Sequence, residues 1–141
     1  MVSKRAKWWL TAGAAVLLMA ATVPVAIWVT HTQSAQLENT RQRCEGKKQI
    51  VHTVIVKGDT VSPVHTEARQ CDSLTITNLD DKERLVAFGK HDSHISYDGV
   101  SERVLGRGQS LTVSLGQAGT FLFHDHAQDS VKGTFTVTRP K

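Results

Sequence analysis

The sequence predicts an all-β domain, a small Greek-key sandwich or barrel, preceded by one N-terminal transmembrane helix. Three observations predict it. Beyond residue 50 the apolar residues recur with period two in short runs, turn residues separate those runs, and no stretch there holds a helical apolar stripe. In 141 residues there is room for one such domain.

Residues 1–30 are the predicted membrane segment. Trp8 to Val29 contains no charged residue; as a helix its roughly 22 residues reach about 33 Å, against a hydrocarbon core of about 30 Å. A cleaved signal peptide has a shorter apolar region, about 7 to 15 residues, and the residues after His31 offer only a weak cleavage site, so a retained anchor is favoured over a cleaved leader. Trp8, Trp9 and Trp28 sit at the ends of the span, where amphipathic rings prefer the interface. Pro24 is tolerated in a membrane helix.

The charge of the chain belongs to this segment. Formal net charge is +4, from 17 basic and 13 acidic residues. Lys4, Arg5 and Lys7 precede every acid, which leaves 14 basic groups against 13 in the remainder. That nearly neutral remainder has no footprint for a phosphate backbone, so nucleic acid is not an expected partner. The basic head keeps the N-terminus cytoplasmic and delivers everything after His31 to the extracytoplasmic side, periplasmic or cell-surface.

Residues 31–47 form a polar tether. Cys44 lies at its end and Cys71 inside the domain, and in an oxidising compartment the two can pair; two free thiols or an intermolecular bridge are the alternatives. Residues 48–141 are the β domain. Ile50 to Val56 is apolar on both faces and reads as a buried strand. Leu74 and Ile76 alternate with Thr75 and Thr77, Leu111, Val113 and Leu115 with Thr112 and Ser114, and Phe135 and Val137 with threonines. Asn78-Leu79-Asp80-Asp81, Gly106-Arg107-Gly108 and Gly116-Gln117-Ala118-Gly119 supply turns.

Seven histidines are present, four of them in two short clusters. In Gly119-Thr120-Phe121-Leu122-Phe123-His124-Asp125-His126, alternation with Phe121 and Phe123 inward puts His124 and His126 on the opposite face and Asp125 in the inward row. The second cluster, His91-Asp92-Ser93-His94, followed by Tyr97-Asp98-Gly99, is expected in a long polar connection. Imidazole is the preferred neutral ligand of copper and zinc, and four such groups in two short pieces point to one metal site. Its predicted ligands are His91, His94, His124 and His126. Asp125, Asp92, Asp98 and His65 are further candidates, as extra ligands or as groups orienting an imidazole. His52 reads as a structural strand residue and His31 as solvated.

The segment from Val61 to Val137 resembles a cupredoxin domain. The resemblance is carried by Ser62-Pro63, by Cys71-Asp72-Ser73-Leu74-Thr75-Ile76-Thr77-Asn78 as a strand ending in Asn, by the Gly-Thr-aromatic strand from Gly119, and by the closing Gly133-Thr134-Phe135-Thr136-Val137. Phe123-His124-Asp125-His126 is similar to the histidine-pair strand of multicopper-oxidase domains and of small membrane-anchored bacterial cupredoxin-like proteins. Counted from Gly119, the family's Cys position holds Asp125, its second His position Gln128 and its Met position Val131. The resemblance therefore implies a Greek-key fold and copper held by histidines without a thiolate, in a protein that captures, buffers or transfers copper, with a copper-delivery or redox partner. The alternatives are a type-2-like copper redox enzyme of dismutase or oxidase kind, an electron-transfer cupredoxin, which the missing Cys disfavours, and a zinc-binding or structural adhesion module. No substrate pocket is recognisable in the sequence.

Overall fold

The computed structural model describes residues 38–39 and 42–140. The predicted membrane span lies outside the described residues, among which no helix is long and apolar enough to cross a membrane.

Among the described residues ten strands follow one another: β1 (Val51–Lys57), β2 (Thr60–Ser62), β3 (His65–Arg69), β4 (Ser73–Asn78), β5 (Arg84–Lys90), β6 (Ser93–His94), β7 (Glu102–Leu105), β8 (Ser110–Ser114), β9 (Gly119–Asp125) and β10 (Gln128–Thr138). They form two sheets. One has the order β2-β1-β4-β8; the other runs β3-β10-β9-β5-β6, with β7 also pairing β5. Two pairings are parallel, β1 with β4 and β3 with β10, and the rest are antiparallel.

The alternating strands behave as their sequence predicts. Leu74 and Ile76, Leu111 and Val113, and Phe135 and Val137 are buried between the sheets with Val54, Val56, Phe88 and Phe123. The threonine faces of β4 and β8 look outward and meet as hydroxyl pairs, Thr75 with Thr112 at 2.9 Å and Thr77 with Ser110 at 2.8 Å. Tyr97 closes the core with its ring against Phe88, Phe121 and Phe135.

Two expectations need correction. β1 is not buried on both faces: Val54 and Val56 point into the core, whereas Val51 and Ile55 lie on the uncovered side of the four-stranded sheet and are exposed. A β-branched run suits a pleated strand whether or not a second layer covers it. The segment after Lys90 is not one long loop. β5 turns back through His91-Asp92 into β6, with Lys90 opposite Ser93 and Gly89 opposite His94, and a second tight turn joins Tyr97 to Val100.

Cys44 and Cys71 are disulfide-bonded, which ties the residues just before β1 to the start of β4. Closing a loop with a sequence separation of 27 stabilises the fold by about 3–4 kcal/mol in the chain-entropy account. Next to it, Asp72 accepts hydrogen bonds from the backbone N–H groups of Ile50 and Arg69 and lies 3.0 Å from Nε2 of His52. His52 is thus part of the scaffold, as expected for a strand histidine.

Candidate metal centre

β9 positions the first histidine pair. Its pairing sets His124 opposite Ala87 and Phe123 opposite Phe88. Phe123 faces the core, and His124 faces the other way, as the alternation predicts. That outer face is nevertheless closed at this point, because the β5–β6 hairpin folds over it and leaves His124 with no exposed surface. The hairpin brings His91 and His94 with it, so the four predicted ligands stand together. Ring centroids are 4.6 Å apart for His91 and His126, 4.8 Å for His94 and His126, 5.3 Å for His94 and His124, and 5.8 Å for His91 and His124.

Gly89 makes this approach possible, and sequence reasoning missed it. Its φ is +93°, and a Cβ there would stand 2.6 Å from the Ser93 carbonyl oxygen and 2.9 Å from the Ile95 nitrogen. The Gly89 carbonyl accepts a hydrogen bond from Nδ1 of His124 at 3.0 Å. A lone glycine inside an apolar strand run was the available signal, since it marks close backbone approach.

Nε2 of His124 is buried without a hydrogen-bond partner. A buried polar atom is normally paired, and an imidazole lone pair left bare among other imidazoles is what a metal ion would use. Burial pushes the His124 pKa below the ordinary histidine range, partly opposed by the Gly89 hydrogen bond and the charge of Asp129, with the neighbouring His94 and His91 pushing the same way as burial. The shift favours the neutral, ligating form of the ring. One nitrogen each from His91, His124 and His126 lie within 4.8 Å of one another. Ligands of a tetrahedral ion with bonds of about 2.0–2.1 Å stand roughly 3.4 Å apart, and His91 is exposed rather than held by packing on every side. His94 stands beside this trio, Nε2 to Nδ1 of His126 at 3.1 Å. The residues present fit copper or zinc.

The other candidates are not brought to the cluster. His65 is on the exposed side of β3 and pairs with Thr134. Asp98 accepts from the Ser114 N–H and shapes the turn after Tyr97. Asp92 is an exposed residue of the hairpin turn. Asp125 points inward, as alternation predicts, and its carboxylate is committed elsewhere. Oδ2 accepts from Arg84 at 2.8 Å, and Oδ1 accepts from the backbone N–H groups of Leu85 and Ala127.

Arg84 is the second residue that the sequence did not announce. Its guanidinium is buried and binds Asp125, Asp80, Asp59 at 2.5 Å and Gln128 at 3.2 Å. Lys82 adds an ion pair to Asp59. Hydrogen bonds from Lys82 and then Arg84 hold the Asp59 carboxyl at about 2, below its ordinary 3.8. At Asp80 burial acts upward, but hydrogen bonds from Arg84 and the Gly58 N–H prevail and lower it. A carboxylate with a depressed folded-state pKa contributes stability above its ordinary value and loses it as pH falls through the depressed one. The thermal midpoint is therefore expected to hold steady above about pH 5 and to fall between about pH 4 and 2, followed by circular dichroism. A flat profile through that window would show that these carboxylates are not coupled to folding.

No family model matches the sequence, and neither does any curated protein. The fold does have solved counterparts. A reduced single-site mutant of amicyanin superposes with a TM-score of 0.53 at 12% identity, covering 67% of this chain and 88% of that one. The chain has a cupredoxin-like fold. A purple cupredoxin from Nitrosopumilus maritimus matches with a TM-score of 0.53 at 18% identity over 61% of this chain and 98% of its own. A Cu(I) form of another amicyanin mutant gives 0.51 at 14% identity, over 67% and 88%. At such identities the likeness is one of fold. Within this cupredoxin-like fold, both cysteines of the chain are bonded to each other, so neither offers a thiolate to the imidazoles.

Proposed function

We propose that this is an extracytoplasmic copper-binding domain, held at a membrane by its N-terminal segment, whose histidine cluster captures, buffers or passes on copper. The observation that carries the reading is the bare, buried Nε2 of His124 facing the imidazoles of His91, His94 and His126. Copper is favoured over zinc by the fold, which amicyanin shares in a Cu(I) form. A blue electron-transfer centre is disfavoured twice. No thiolate is free, and the residues at the family's Cys and second His positions, Asp125 and Gln128, both bind the Arg84 guanidinium. A cation already fills that pole. Bound at the outer-face cluster, copper would be held by nitrogen donors; the chain's part is to keep His124 buried under the hairpin and to bring the other imidazoles to it. A copper-delivery or redox protein is the expected partner.

The test is metal uptake by the full chain in detergent, read by metal analysis with optical and paramagnetic-resonance spectra. One Cu(II) without an intense blue band is expected, and an intense thiolate band or no copper uptake would end the reading. Preference for zinc over copper would move the domain to the structural alternative, and dismutase or oxidase turnover to the enzyme one. Replacing His124 and His126 together by alanine is expected to abolish stoichiometric binding while the β-sheet circular dichroism persists. Undiminished binding by that variant would place the site elsewhere.

A further inference from the structure

The groups around the cluster divide its four imidazoles into two kinds. A carbonyl oxygen only accepts hydrogen bonds, so the contact of His124 Nδ1 with the Gly89 carbonyl at 3.0 Å puts the proton on Nδ1 and leaves Nε2 bare. An ionised carboxylate likewise only accepts. Oε2 of Glu102 lies 3.7 Å from Nδ1 of His94, beyond hydrogen-bond reach, but its negative charge favours a proton on that nitrogen and a bare Nε2. The atom facing this Nε2, at 3.1 Å, is Nδ1 of His126. In that arrangement His126 Nδ1 is the donor, and the bare nitrogen of His126 is Nε2. Glu102 is placed for this by β7, whose register sets it opposite Ala87, the residue that also faces His124.

We infer that His94 is a positioning residue rather than a ligand: braced by Glu102, it fixes the tautomer and ring orientation of His126. The metal is then taken by Nε2 of His124, Nε2 of His126 and a nitrogen of His91, the same three residues whose ligand atoms cluster within 4.8 Å. Metal-bound histidines generally donate their other N–H to a carbonyl, carboxylate or similar acceptor. Here Gly89 serves His124, and the Glu102–His94 pair serves His126. The metal part of this inference rests on the copper-binding reading, whereas the hydrogen-bond part stands on the metal-free protein.

Two measurements test it. Long-range proton–nitrogen correlation spectra of the metal-free full chain, recorded well above the ordinary histidine pKa, should show the Nδ1–H tautomer for His94, His124 and His126. An Nε2–H tautomer at His94 or His126 would overturn the inference. Pulsed paramagnetic resonance of the Cu(II)-loaded chain should count the same number of coordinated imidazoles in the wild type, in His94→Ala and in His94→Gln. Copper affinity should fall roughly 10- to 100-fold in His94→Ala and less in His94→Gln, whose amide oxygen can accept the His126 proton. Loss of one coordinated imidazole on replacing His94 would overturn the inference. Were copper not taken up at all, the proposed function would fail, and the tautomer spectra would still decide whether Glu102 and His94 hold His126.

Discussion

Replacing Arg84 by methionine is expected to lower the thermal midpoint of the domain by about 12–40 °C. The guanidinium is one of the most completely buried side chains in the fold, and it binds carboxylates from three segments, Asp59 after β1, Asp80 after β4 and Asp125 at the end of β9. Methionine fills much of the same volume but strands the buried Asp125 and the largely buried Asp80 without a counter-ion. Removing one partner of a buried pair costs about 3–5 kcal/mol, and each kcal/mol is worth about 4–8 °C in a domain of this size. Arg84→Lys should fall between the two, because lysine restores the charge without the planar fork that reaches several acceptors at once. Replacing Asp125 by leucine in the Arg84→Met background should recover part of the loss, since an apolar pair of matched volume avoids the desolvation that a lone carboxylate suffers. A midpoint shift under about 5 °C for Arg84→Met, close to what 1 kcal/mol would produce, would show that the carboxylates turn to water and that the pair matters little to folding.

The same two strands carry this ion cluster and the imidazoles, and alternation is what separates them. Along β9 and the residue after it, Phe123 and Asp125 point in while His124 and His126 point out; along β5, Arg84, Val86 and Phe88 point in while Ala87 and Gly89 lie under the hairpin. This division was legible in the sequence for β9, because two phenylalanines at i and i+2 fix the inward row. It was not legible for β5. Arg84 begins a strand that is apolar from Leu85 to Gly89, and no local pattern says that its charge will be buried; three carboxylates make that tolerable, Asp80 nearby and Asp59 and Asp125 at separations of 25 and 41 residues. The faces of β4, β8 and β10 could likewise be read from strict alternation, and the structure places the two histidine clusters side by side. What was out of reach is how they meet. His91 and His94 read as members of a polar loop, since a two-residue turn followed by a two-residue strand is too short to show a period. The exposure of β1 was also hidden, because Val51 and Ile55 are apolar whether or not anything covers them.

Gly89→Ala is the substitution expected to do most to the metal centre for the smallest change in mass. Its copper affinity should fall at least about 100-fold, beyond the range typical for losing one supporting hydrogen bond to a ligand. Two effects of the methyl group combine. At φ +93° an L-residue is held outside its ordinary conformations, at a cost of about 1–3 kcal/mol. The added Cβ also meets the backbone of Ser93 and Ile95 at 2.6 and 2.9 Å, and backbone, unlike the tip of a flexible side chain, cannot swing aside. The β6 arm of the hairpin must move away, taking His94 directly and His91 through the turn, while the carbonyl that orients His124 belongs to the substituted residue itself. Three of the four imidazoles are thus disturbed by one carbon. Gly108→Ala is the matched control: its φ is +76°, yet a Cβ there meets nothing within 4 Å. It should lose a similar amount of stability from backbone strain and bind copper as the wild type does. If Gly89→Ala folds and keeps wild-type affinity, the hairpin does not set the geometry of the site, and the imidazoles must find the metal without it.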